Sequence, residues 1–261
     1  MIIEIVSGLV FGSMALLADG WHMASHALAM GITAAAYYWG RKHQKNRRFT
    51  FGTGKFGDLA GYSSALLLGL IALFMAYASI LRFLNPVSIH FNEAISVAAI
   101  GLIVNLAIAF ILKEDHHHHG TDDHHDHNLR AAYLHVLADA LTSILAIVAL
   151  FFGKLLGWSF LDPVMGVVGA IVISRWSYGL MRDTGKVLLD YNYNDRISRQ
   201  IKDAIESEGD AIIEDLHVWR MGPGHHGCII ALKTEGNQRI TDFKRCLCDI
   251  SELSHLTIEV N

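Results

Sequence analysis

Residues Leu134–Ile144 read LHVLADALTSI. The segment lies inside a long apolar run and sets His135 and Asp139 four residues apart. On a helix, positions i and i+4 share one face, one turn apart. Near the start of the chain, Asp19–Leu28 (DGWHMASHAL) repeats the device with His22 and His26. Two helices that each offer two such side chains can close a four-ligand set of three imidazoles and one carboxylate. Nitrogen and oxygen donors in that number suit a zinc-like divalent ion. A strongly polar side chain at mid-membrane costs about 2.5–3.5 kcal/mol on insertion scales. A shared divalent ion offsets that cost for all four groups, which favours a metal site over helix-to-helix hydrogen bonding.

The surroundings agree with a membrane setting. Of 261 residues, 52% are hydrophobic and 18% charged, against about 25% charged in soluble domains. The long apolar runs fall in residues 1–182, and 183–261 resemble a soluble domain. A net charge of −4 leaves no footprint for nucleic acid. Three cysteines (Cys228, Cys246 and Cys248) fit a reducing compartment better than a disulfide framework. Histidine is over-represented, with 16 residues, and His116, His117, His118, His119, His124, His125 and His127 form one tract.

Hydropathy predicts six spans: Met1–Leu17, Trp21–Trp39, Leu59–Phe83, Ala94–Leu112, Leu129–Phe152 and Asp162–Leu180. A tight turn is expected at Ala18–Gly20, which makes Asp19 either an N-cap or a cavity-facing group. Residues 41–57 carry Arg41, Lys42, Lys45, Arg47, Arg48 and Lys55 and no acidic residue. The positive-inside rule puts that loop, both termini and the His-rich 113–128 loop in the cytoplasm. No secretory signal is expected at the N-terminus. Asn105, Thr142 and Ser143 read as interhelical packing groups. The C-terminal part reads α-β-β-α-β: helices Asp195–Glu208 and Thr241–Leu253 (Thr241 as N-cap), and strands Ile213–Met221, Cys228–Thr234 and Leu256–Val260.

The chain resembles the cation diffusion facilitator family of metal transporters, over nearly its whole length. The likeness rests on SMALLADGWHMASH (Ser13–His26), FTFGTGKFGDLAG (Phe49–Gly61), LRAAYLHVLADALTSI (Leu129–Ile144), LDPVMG (Leu161–Gly166) and DLHVW (Asp215–Trp219). It implies an α-helical membrane protein of six transmembrane helices followed by a small α+β ferredoxin-like cytoplasmic domain, working as a homodimer. It also implies transport ligands at His22, His26, His135 and Asp139. In that family the first span starts further upstream than Met1. Zinc-selective relatives usually carry Asp where this chain has His26, and the His-His pair with a His-rich loop looks most like the bacterial DmeF-type branch, associated with cobalt and nickel efflux.

The expected function is export of a divalent cation (cobalt, nickel, zinc or cadmium) by metal/proton antiport across the bacterial inner membrane. The metal is substrate, no cofactor is expected, and the protein is not an enzyme. The alternative is a membrane metal sensor or storage protein, which would not need a quartet buried between spans. The Asp115–Asn128 tract is expected to be disordered without metal and to concentrate ions near the site. His217 and His255 are further candidate ligands in the C-terminal domain.

Overall fold

The computed structural model describes residues 1–114, 123–192, 195–207, 209–234 and 239–261, with side chains described for these except at 109, 111–138 and 195. The elements in chain order are α1 (Ile2–Val10), α2 (Met14–Lys42), α3 (Phe56–Leu84), α4 (Phe91–Glu114), α5 (Asp123–Leu156), α6 (Leu161–Leu188), α7 (Asp195–Glu206), β1 (Ile212–Gly222), β2 (His225–Lys233), α8 (Ile240–Cys246) and β3 (Leu253–Val260). They fall into two compact units, Met1–Met30 with Ala65–Tyr178, and Gly31–Ser64 with Gly179–Asn261.

The first unit is helical. Among the described residues four stretches are long and apolar enough to cross a membrane: Phe56–Leu84, Phe91–Ile108, Asp139–Leu156 and Leu161–Leu188. Helix α2 has the length, but Asp19, His22 and His26 lower its hydropathy. Small residues let the helices approach closely, as expected where no water drives them together. Ala15 and Leu16 pack with Ala94, Ala98, Ala146 and Leu150, and Ala18 packs with Leu68, Ala72, Met75, Ala170 and Ile173.

The first turn of the chain differs from expectation. The break lies at Phe11–Ser13, and Ala18–Gly20 sits inside α2. Gly12 takes φ +73°, and the Ser13 amide donates back to the Gly8 carbonyl at 3.0 Å, the hydrogen bond of a left-handed helix stop. A Cβ at Gly12 would meet the Ser88 carbonyl oxygen at 2.9 Å. Within α2, Gly20 serves close packing instead of a turn: a Cβ there would come within 2.9 Å of the Ile5 backbone nitrogen in α1. Ser13 then caps α2, accepting from the Leu16 amide at 3.1 Å. The Asp162 carboxylate, at the start of α6, reinforces the cap by accepting from the Ser13 hydroxyl (2.7 Å) and from the Met14 (2.7 Å) and Ala15 (3.0 Å) amides.

Helix α5 also begins earlier than hydropathy suggests. It takes in Asp123–Asn128 of the tract expected to be disordered.

In the second unit α7 sets Ile197, Ile201 and Ile205 on one face, and all three are fully buried against Val218, Cys228, Ile230, Leu232 and Phe243. The sheet order is β1-β2-β3, with β1 and β2 antiparallel and β2 and β3 parallel. Parallel pairing requires a crossover, and α8 provides it. The second C-terminal helix is shorter than predicted, and Leu253 already belongs to β3. Its N-terminus is capped at Arg239, whose amide donates to the Asp242 carboxylate at 3.1 Å, and not at Thr241.

Candidate metal centre

Helix α2 brings His22 and His26 to one face, and α5 brings Asp139 against them. The His22 Nε2 lies 3.1 Å from Asp139 Oδ1, and the His26 Nε2 lies 4.0 Å from the same oxygen. One ligand atom from each of the three residues fits within a mutual distance of 4.8 Å. Metal–ligand bonds of about 2.0–2.2 Å at tetrahedral angles put ligand atoms roughly 3.4 Å apart. The two His–Asp separations bracket that value, and the full set, within 4.8 Å, must draw together to seat an ion. The imidazoles stand edge to face, 4.9 Å apart at 88°. The His22 and Asp139 side chains are 9% and 7% exposed, and that of His26 is 23% exposed, which makes His26 the open side of the cluster. His135 lies on α5 one turn before Asp139, and its side chain lies outside those described. Among the described residues this is the one cluster of three or more metal-competent side chains.

A second layer backs the cluster. Asp19 is buried one turn before His22. Its carboxylate accepts from the Ser143 hydroxyl at 2.7 Å and the Thr142 hydroxyl at 3.3 Å. Thr142 shares that one proton with the Asp139 carbonyl, the nearer acceptor at 2.8 Å. Asp19 is therefore no N-cap, and Thr142 and Ser143 are more than packing groups: they tie α2 to α5 beside the ligands. Asn105 is buried in α4. A cavity of about 130 Å³ adjoins this layer, lined by Asp19, His22 and Thr142 and by apolar groups including Val168 and Val172. Trp176 of α6, which sequence reasoning passed over, lies 5.7 Å from the His22 ring and 5.7 Å from the His26 ring. A single tryptophan in an apolar span carries no periodic signal that would have marked it.

The other candidates are placed apart. His116–His119 lie outside the described residues. His124, His125 and His127 belong to α5, with side chains outside those described. His217 pairs with Asp215 at 2.8 Å on the surface. His255 meets Phe51 edge to face at 5.6 Å and Trp219 in a tilted contact at 6.5 Å. His226 is buried in β2, and burial lowers its pKa below the ordinary imidazole value. Cys228 is buried, and burial pushes its thiol up to about 12.

Four helices long and apolar enough to cross a membrane, with a His/His/Asp cluster held between α2 and one of them, define an integral membrane protein that carries a ligand set of metal-binding type. Residues 1–189 match the cation efflux transmembrane domain, and the chain belongs to that family, as the resemblance implied. It is similar to the cadmium, cobalt and zinc/H(+)-K(+) antiporter of Bacillus subtilis (strain 168), 31% identical over 267 residues, covering 100% of this chain and 84% of that protein. It is similar to the zinc transporter ZitB of Escherichia coli (strain K12), 29% identical over 230 residues, covering 85% of this chain and 69% of that protein. It is also similar to the metal cation efflux system protein CzcD of Cupriavidus metallidurans, 26% identical over 265 residues, covering 99% and 81%. The family's members are transporters and not enzymes, and the metal is their substrate.

Proposed function

We propose that this protein exports a divalent cation, with cobalt, nickel, zinc and cadmium as the candidate metals, in exchange for protons. The observation that carries the reading is the convergence of His22, His26 and Asp139 from α2 and α5 on one point. His135, one turn from Asp139, completes the quartet in this reading. Ligating imidazoles must be neutral and the carboxylate ionised, so metal loading releases protons and proton loading releases metal. Three nitrogen donors and one carboxylate bind late first-row divalent ions in common, in line with the cadmium, cobalt and zinc of the Bacillus relative's name. His26 is the position where the metal preference is set.

The same reading has six spans, a membrane part at 1–182 and a ferredoxin-like domain at 183–261, assembled as a homodimer in the bacterial inner membrane. Both termini are cytoplasmic, on the side of the basic 41–57 loop. The His-rich tract, from His116 to His127, feeds ions to α5 from that side, and His217 and His255 are secondary metal contacts. The deciding experiment uses sealed proteoliposomes with an internal metal dye and an imposed pH gradient, presented in turn with cobalt, nickel, zinc and cadmium. Wild type moves at least one of these metals against protons, and Asp139→Ala moves none. Equal flux in the two proteins overturns the reading.

A further inference from the structure

We propose that Trp176 is a positioning residue for the metal site: its indole, contributed by α6, walls the two imidazoles and holds them aimed at Asp139. This rests on the metal-site reading above. His22 and His26 have their Nε2 atoms 3.1 and 4.0 Å from one carboxylate oxygen. Their rings are tilted against the indole by 50° and 62° and stand at 88° to each other. The three rings form a closed set in which each meets the other two in a tilted or edge-to-face contact, the arrangement aromatic quadrupoles favour.

An unbound imidazole turns broadly about its terminal torsion, and a metal must first halt that rotation. Rings held between an indole on one side and a carboxylate on the other start close to the binding pose. Trp176 is half exposed, whereas His22 is buried, so the indole is the outer wall of the cluster beside the partly open His26. The helix that carries it belongs to neither ligand pair.

A group that orders ligands before the metal arrives acts on affinity and leaves later steps alone. Trp176→Ala is therefore expected to raise the KM for Co²⁺ roughly tenfold, the effect of losing two ring contacts, with the maximal rate within about twofold of wild type by the same reasoning. Trp176→Leu, bulky but without a ring, is expected to follow Ala, and Trp176→Phe to restore most of the affinity. Bound Co²⁺ should quench indole emission in wild type, and Trp176→Phe should lose that component while the other tryptophans, Trp21, Trp39, Trp158 and Trp219, remain. A wild-type KM in both Trp176→Ala and Trp176→Leu, or undiminished Co²⁺ quenching in Trp176→Phe, overturns the proposal. Asp139→Ala separates the two levels. If it abolishes quenching while the Trp176 variants bind as wild type, the site stands and the positioning role fails. If it quenches as wild type does, the metal site itself fails.

Discussion

Asp162→Ala tests the joint on which α2, and with it His22 and His26, is hung. The Asp162 carboxylate is 2% exposed, and Ser13, Met14 and Ala15 are at most 1% exposed, so water does not replace what is removed. Its three donors are the Ser13 hydroxyl and the Met14 and Ala15 amides, at 2.7, 2.7 and 3.0 Å. The hydroxyl can rotate and still serves the Leu16 amide. The two amides belong to the first turn of a helix and have no partner within it. Each buried orphan costs about 1–3 kcal/mol, so Asp162→Ala should lose about 2–6 kcal/mol. Asp162→Asn keeps one acceptor oxygen and should lose roughly half of that. Ser13→Ala removes an ordinary cap and should lose about 1 kcal/mol. For a chain of this size about 2–4 °C accompanies each kcal/mol, so the order of melting should be wild type, Ser13→Ala, Asp162→Asn, Asp162→Ala, with the last roughly 5–20 °C below the first. Heating the detergent-solubilised protein and reading the surviving peak by size exclusion gives the midpoints. His22 lies about 12 Å along the helix from Met14, so the loss should appear in stability before it appears in metal affinity. An Asp162→Ala protein that melts with wild type, or one no weaker than Ser13→Ala, refutes the reasoning.

Three further outcomes follow from other parts of the structure. Ser143→Ala withdraws the closer of the two hydroxyls that Asp19 accepts from, leaving a buried acceptor short of a donor, and should lower thermal stability by about 1–3 kcal/mol; a melting curve that matches wild type would contradict the geometry. Maleimide should label exposed Cys248 in the native protein and spare Cys228, which is buried with its thiol pushed up to about 12; mass spectrometry showing Cys228 modified before unfolding would count against the C-terminal core. Burial lowers the pKa of His226 in the folded state, so below the ordinary value of 6.5 the unfolded chain binds more protons and the sheet loses stability as pH falls through that region. Hydrogen exchange of β2 in the full chain, corrected for intrinsic rates, should show that loss between pH 7.5 and 5.5, and His226→Gln should flatten it.

Much of the site was legible because its chemistry is local. The spacing of His22 and His26 needs only a helix to bring the pair to one face, and an expensive polar group in an apolar run already asks for a partner. The apolar runs predicted six spans, and four helices among the described residues are long and apolar enough to cross a membrane; Ile197, Ile201 and Ile205 announced the buried face of α7 by period alone. Helix ends were harder to read. A Gly-Ser pair and an Ala-Asp-Gly triplet look equally like turns, and the choice between them rests on contacts far along the chain. Gly12 is a turn because α1 stops there and Ser88 leaves no room for a Cβ, whereas Gly20 is flat helix because α1 packs across it.

The same distinction explains why Asp19 stood open between a cap and a cavity-facing group. Beside a glycine, an aspartate reads as a cap, because the donors that claim it, Thr142 and Ser143, are more than a hundred residues away. Pairing four residues apart on one helix is a property of sequence, and pairing between helices is a property of packing. The ligand pairs belong to the first kind. The groups that hold them in register, namely Asp162 of α6 at the cap of α2, Asp19 of α2 across to α5 and Trp176 of α6 against the imidazoles, belong to the second. They lie on two helices, and each meets its partners on another helix through packing. A transporter must hold its ligands firmly enough to bind yet be able to release them. In this chain the aim of the ligands therefore depends on residues that the ligand motif does not contain. Variants at Asp19, Asp162 and Trp176 should alter stability or affinity while leaving the ligand set intact.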